Sequence, residues 1–255
     1  MQHNEPNSSE LAVVDAHCHI DLYPSPVEII NRAEELHIRT IAVTNAPSVF
    51  FHTRDLTREC RFVQPAVGLH PELVHSHGRE LEQLWPLLEQ TRYVGEIGLD
   101  YVTTDLSNRE HQRQVFEAIV ERCAELGDKV LTIHSRRSVA DVIAIVGTGF
   151  RGKAVLHWFS GTLRQLERAV VAGFYFSVNP AMIKSRSGQS LIAAMPRDRV
   201  LTETDGPFVK IGNSPAVPED TALVIMALAK AWGLGALEAK ANILQNLHSL
   251  LEEAK

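Results

Sequence analysis

Apolar residues along this chain gather into eight short runs, each followed by a longer stretch with helical spacing. The runs are LAVVDAH (11–17), RTIAVTN (39–45), FVQPAVGLH (62–70), RYVGEIGLD (92–100), KVLTIHS (129–135), GKAVLHWFS (152–160), FYFSVNP (174–180) and DRVLTETDGP (198–207). Short β-rich runs bounded by turn residues read as strands. Pro65 weakens the third assignment, because proline cannot donate to a ladder. Between the runs, SPVEIINRAEELH places Pro26 and Glu28 in a first helical turn, and ELEQLWPLLEQ is helical in pattern despite Pro86. NREHQRQVFEAIVERCAELG is the clearest amphipathic helix, with Gly127 where a terminating glycine belongs. Two further helices are expected at about 217–232 and 236–253.

Eight strand-then-helix units in a row predict an α/β protein built as a closed (β/α)8 barrel of the TIM type, in preference to an open doubly wound sheet. No Gly-rich phosphate fingerprint follows any strand, which removes the main reason for a dinucleotide-binding reading. Without internal repeats, low-complexity blocks or linkers, the expectation is one barrel domain over 11–255 after a flexible lead-in at 1–10.

Composition narrows the function. With 255 residues, 45% of them hydrophobic, the chain can build one large core. No apolar run has the length of a bilayer span, and the polar start MQHNEPNSSE does not read as a signal peptide. No membrane association is therefore expected. Three cysteines without C-x-x-C spacing point to a reducing compartment, by default the cytoplasm. A net charge of −6 argues against a protein that grips long duplex DNA by neutralising many phosphates. Any nucleic-acid role then rests on a local site with bound cations.

Candidate chemistry lies at the C-terminal strand ends, where such barrels place their active sites. Those ends carry His17 and His19 (first run), His70 (third), Glu96 (fourth), His134 (fifth), His157 (sixth) and Asp205 (eighth). On a strand, residues two apart share a face, so His17 and His19 project together into the barrel mouth while Cys18 points outward. Two imidazoles held this way chelate a divalent cation. A lone H-x-H is weak in a chain of twelve histidines, but ligand-type residues at successive strand ends are not a chance pattern. A buried, unpartnered Glu96 would protonate; between two cations it is a natural bridging ligand, the alternative being an ion pair with an arginine such as Arg136. Asp205, just before a Gly-Pro turn, reads as ligand and water-activating base. Arg136, Arg137, Lys184 and Arg186 are expected on loops after the fifth and seventh strands, either as a phosphate-facing set or as an ordinary solvated surface. Trp158 is placed to stack a terminal base or to pack against helices.

The stretches DAHCHID, VGLHP, YVGEIGLDY, LTIHSR, LHWFSG, GFYFSVNP and LTETDGP, in this order, resemble the TatD family of metal-dependent nucleases, a branch of the amidohydrolase-like barrels. The resemblance implies that His17, His19, Glu96 and Asp205 hold one metal and that Glu96, His134 and His157 hold a second. It implies catalytic roles for Asp205, Glu96 and His70. On the substrate side stand His70 at the scissile phosphate, Arg136, Trp158, and Glu203, which supports the eighth strand end. The implied activity is phosphodiester hydrolysis in DNA, typically 3′→5′ from strand ends, with two divalent ions, Mg²⁺ or Mn²⁺ in the first place and Zn²⁺ as an option. Trp158 departs from the family's usual small residue or cysteine, and FVKIGNSPAVPED is shorter than its usual basic loop. With HIDLYPSP and YFSVNPAM, these features are similar to the TatD-type nucleases of the Qat anti-phage system, which implies other Qat proteins as partners. Ligand types alone leave open a zinc enzyme acting on amide or ester bonds; the resemblance implies a D-aminoacyl-tRNA deacylase as one such alternative, and a weakly active nucleic-acid-sensing subunit is another.

Overall fold

The structure, a computed structural model, describes residues 11–252; the lead-in expected at 1–10 lies outside them. Eight parallel strands follow in chain order: β1 Val14–Cys18, β2 Arg39–Val43, β3 Val63–Ala66, β4 Tyr93–Gly98, β5 Lys129–His134, β6 Gly152–Leu156, β7 Tyr175–Val178 and β8 Val200–Thr202. β1 to β3 and β4 to β8 each pair in sequence order, and the Val67–Val94 bridge joins the two groups. The ring closes where Asp205 N donates to His17 O (2.9 Å) and His19 N donates to Gly206 O (2.8 Å). This is the expected (β/α)8 barrel, with helices packed around the strands. Its strands are nearly continuous apolar runs because a parallel sheet under a ring of helices is covered on both faces.

Pro65 is tolerated in β3 for a local reason. Its carbonyl faces β4 and accepts from Thr91 Oγ1 (3.0 Å). The missing N–H falls on that same side, where strand pairing starts only at Val67. Past the end of β3, β2 reaches β4 directly: Thr44 N donates to Gly95 O (3.1 Å) and Glu96 N donates to Thr44 O (3.0 Å). Gly68 makes this crossing possible, since a Cβ there would lie 2.3 Å from Glu96 N.

The long helix spans Leu106–Leu126. Asp105 caps its start by accepting from Ser107 N and Asn108 N, and Gly127 ends it at φ 70°. Its buried face, including Phe116, Ile119, Val120 and Cys123, packs into the main core. The last two helices, Thr221–Trp232 and Ala236–Leu251, lie close to the expected bounds. Lys184 and Arg186 are not on a loop: they sit in the short helix Pro180–Lys184 and the helix Arg186–Ala194, both started by polar caps, Asn179 and Ser185. Among the described residues no single helix is long and apolar enough to cross a membrane.

All three cysteines are free thiols. Burial pushes the Cys18 thiol well above its usual range and Cys123 up to about 12, while Cys60 is only partly covered. Thiolate is the reactive form, so the native protein should react at one thiol with a water-soluble aromatic disulfide reagent and at three after unfolding in guanidinium. A second fast native thiol would contradict this packing.

Candidate metal centre at the barrel mouth

Glu96 is the hub of the site. It is buried on β4, with one carboxylate oxygen facing each of two groups of imidazoles. On one side, Glu96 Oε2 lies 3.3 Å from His19 Nε2 and 3.6 Å from His17 Nε2. Asp205 Oδ1 completes that group at 3.6 Å from His19 Nε2 and 3.8 Å from His17 Nε2, while the two imidazole nitrogens are 3.2 Å apart. On the other side, Glu96 Oε1 lies 2.8 Å from both His134 Nδ1 and His157 Nε2, which are themselves 3.4 Å apart. His70 Nε2 approaches the same oxygen at 3.5 Å.

These separations suit a cation. Donors placed about 2.0–2.2 Å from a first-row metal sit roughly 3–3.5 Å from one another around it. The chemistry of the set agrees. Burial, reinforced by His157, holds His17 down at about 3, in the neutral form that ligates. Burial pushes Asp205 well above the carboxylate range, and the nearby Glu203 and Glu96 charges add to it. Burial also opposes the charge on Glu96, but the imidazoles of His70, His157 and His134 outweigh it and hold that carboxyl well below its usual range. The protein's own groups therefore favour charge on Glu96 and oppose it on Asp205, and added positive charge would favour the ionised form of both. The donor set thus fits divalent metal.

Neighbouring polar groups aim the donors. His17 Nδ1 lies 2.7 Å from Thr132 Oγ1; with Nε2 turned to the cluster, the ring proton is on Nδ1 and is donated to the hydroxyl. His134 Nε2 lies 2.8 Å from Asp100 Oδ2, which leaves Nδ1 as the donor atom beside Glu96. His70 is set differently: its Nδ1 accepts the Glu72 N–H at 3.2 Å, so Nε2 carries the proton and faces the cavity as a hydrogen-bond donor. Thr132 and Asp100 were not singled out in the sequence, although both carry a signal. Thr132 is two residues before His134, hence on the same strand face, and Asp100 ends the GEIGLD run.

Glu203 lies beneath the site. It is fully buried; Oε1 accepts from Trp158 N and Asn179 Nδ2, both at 3.0 Å, and Oε2 accepts from Ser177 Oγ. Although His17, His157 and Glu203 also converge, this carboxylate's lone pairs are already engaged. Glu203 is not among the residues that line the mouth cavity; its contacts are with Trp158, Asn179 and Ser177. No arginine pairs with Glu96 among the described residues; Arg136 instead lines the mouth cavity of about 540 Å³, together with His70, Trp158 and Asn45.

Asp100 offers a clean test of ligand aiming. Asp100→Asn keeps the shape but replaces the acceptor of the His134 proton by an amide. Outer partners of metal ligands typically contribute 10- to 100-fold in affinity or rate, so Mn²⁺ binding measured by calorimetry should weaken by about that factor, with helix content unchanged.

Comparison with known proteins agrees with this geometry. The model of TatD-related DNases matches residues 14–252. The chain is 30% identical over 254 residues to the uncharacterized metal-dependent hydrolase YjjV of Escherichia coli, covering 93% of this chain and 96% of that protein. It is 27% identical to human deoxyribonuclease TATDN3, covering 80% and 83% of the two chains. The crystal structure of the E. coli YjjV protein, a TatD homolog, superimposes with a TM-score of 0.84 at 26% identity over 94% of this chain and 98% of that one. A barrel whose rim gathers buried imidazoles and carboxylates around one glutamate, matched by this family from end to end, belongs to the TatD-related DNases, a family of metal-dependent hydrolases.

Proposed function

We propose that this protein is a nuclease that hydrolyses phosphodiester bonds at DNA strand ends, in the 3′→5′ direction, using two divalent cations that share Glu96. The observation that carries this reading is the division of the Glu96 carboxylate: Oε2 faces His17 and His19, with Asp205 Oδ1 beside the same pair, and Oε1 faces His134 and His157. Mg²⁺ and Mn²⁺ are the favoured ions, with Zn²⁺ compatible with the histidine-rich set. His17, His19, Glu96 and Asp205 on one side and Glu96, His134 and His157 on the other would hold the ions, which would supply Lewis acidity towards water and phosphate.

The protein's own groups do the rest. Asp205, held at φ 50° on the turn after β8, keeps Oδ1 beside the first donor group and accepts the proton of the attacking water. His70, with its proton on Nε2, donates to a non-bridging phosphoryl oxygen, and Arg136 at the rim adds a second cationic contact. Glu203 fixes the backbone beside His157 so that the ring stays aimed.

Digestion of end-labelled single-stranded and duplex DNA, run beside an ester and a D-aminoacyl-tRNA substrate with Mg²⁺, Mn²⁺ and Zn²⁺, tests the reading. Loss of the proton acceptor in Asp205→Asn should lower the DNA rate about 10²- to 10⁴-fold. Exclusive turnover of the ester or aminoacyl substrate, or undiminished cleavage by the variant, would overturn it. The HIDLYPSP, LHWFSG and YFSVNPAM stretches support a place in cytoplasmic anti-phage defence beside other Qat proteins; failure of the chain to co-purify with them from a cell carrying the system counts against that placement.

A further inference from the structure

The mouth cavity carries two aromatic rings that the hydrolytic chemistry does not use. Trp158 is 38% exposed and Phe208 60% exposed, and both line this cavity. Neither is a core residue. Trp158 follows His157 directly and sits at φ 38°, a conformation that a bulky side chain holds only when its surroundings impose it. The restraint is visible: Glu203 Oε1 accepts the Trp158 N–H at 3.0 Å and lies 3.7 Å from His157 Nδ1. One buried carboxylate therefore fixes the Trp158 backbone, from which the indole projects, relative to a metal-ligand candidate. Trp158 and Ser160 also line a second cleft of about 260 Å³, which runs over Ser187, Gly188 and Leu191. The indole stands at the divide between the two hollows. Phe208 sits on the turn after Asp205, its ring edge-on to His19 with centroids 4.9 Å apart.

We propose that Trp158 and Phe208 form a stacking platform for the base of the nucleotide whose phosphate is being cleaved, and that this platform sets how strongly the enzyme prefers a base-bearing end over a bare sugar-phosphate. The inference rests on the phosphodiesterase reading above and adds to it the part of the substrate that is recognised. Exposed aromatic faces beside a polar cluster gain from covering by a flat apolar ring, and every base has such a face, so the contact is strong and tolerant of sequence. A cavity of about 540 Å³ matches a site for one small planar ligand and its sugar. Asn45 lines the same cavity, and its buried Oδ1 has no hydrogen-bond partner, so the polar side of the site is not fully paired within the protein. The second cleft, across the indole, lies where the next nucleotide would continue.

Two measurements on the full chain test this. In the first, thymidine 5′-monophosphate and deoxyribose 5-phosphate are titrated with Ca²⁺ present while tryptophan emission is followed. The nucleotide should quench the parent but not Trp158→Phe, because Trp85 and Trp232 lie away from the cavity; the sugar-phosphate should quench neither. In the second, kcat/KM is compared for oligonucleotides with a normal and an abasic terminal residue. Stacking of one base predicts a ratio of about 10 to 100 for the parent. That ratio should fall at least fivefold in Trp158→Ala and in Phe208→Ala, and stay near the parent value in Trp158→Phe, which keeps an aromatic face. A ratio unchanged in both alanine variants, even with lower rates overall, makes the rings structural and overturns the platform. So does emission that ignores the nucleotide. If the parent cleaves neither oligonucleotide with any cation yet thymidine monophosphate still quenches through Trp158, the nuclease reading fails while the base platform stands.

Discussion

Glu96→Gln should reduce hydrolysis by about 10³-fold or more and abolish tight uptake of divalent metal, the largest effect expected of any single change here. The substitution keeps size and shape but removes the charge that both imidazole groups share. It also places an NH₂ donor where one group needs a lone pair: whichever way the amide turns, it faces either His17 and His19 or His134 and His157 with hydrogens. The backbone has no reason to move, because Glu96 is tied into the sheet through its N–H to Thr44 O and not through its side chain. Circular dichroism should therefore match the parent, while calorimetric titration with Mn²⁺ shows the loss. Parent-like affinity and stoichiometry in the variant would remove Glu96 from the centre of the site.

Gly68→Ala is expected to damage both fold and site. A Cβ at position 68 would meet Glu96 N at 2.3 Å, Glu96 O at 2.5 Å and Gly95 C at 2.5 Å, all backbone atoms that cannot swing aside as a side chain could. Overpacking of this kind costs about 1–3 kcal/mol, and for a domain of this size each kcal/mol lowers the melting temperature by about 2–4 °C. A fall of roughly 5–10 °C in calorimetry is the expected result. β4 must yield where it presents Glu96, so metal affinity should drop along with it. Gly149→Ala is the control: nothing lies within 4 Å of its added methyl, and its melting temperature should stay within a degree or two. Equal behaviour of the two variants would show that the β2–β3–β4 crossing has slack that its contacts do not reveal.

Much of this architecture was legible in the chain because a parallel barrel writes itself plainly. Its strands are covered on both faces, so Val14–Cys18 and Lys129–His134 stand out as mostly apolar, buried runs, and the last polar residues, His17 and His134, fall towards the rim. The ends of the elements were less legible. His70, His157 and Asp205 lie beyond the last residue of their strands, since the chain has begun to turn into the loops that present them. What could not be read was how the polar groups would pair across the barrel. Glu203 is separated from Trp158 by 45 residues and from Asn179 by 24, and Asp100 from His134 by 34; no local pattern reports such contacts. Pro65 looked like a strand breaker only because its unpaired side could not be known before its neighbours were in place.

The seam of the barrel brings the first and last strands together at the donor set. His17 and His19 come early in the chain, but their companion Asp205 lies on the turn just past β8, and the bonds that seal the ring join Asp205 N to His17 O and His19 N to Gly206 O. A chain ending before β8 thus lacks the candidate ligand Asp205 and has an open edge at the same place. Closure of the ring and assembly of the donor set therefore depend on one short seam, His17 and His19 against Asp205 and Gly206.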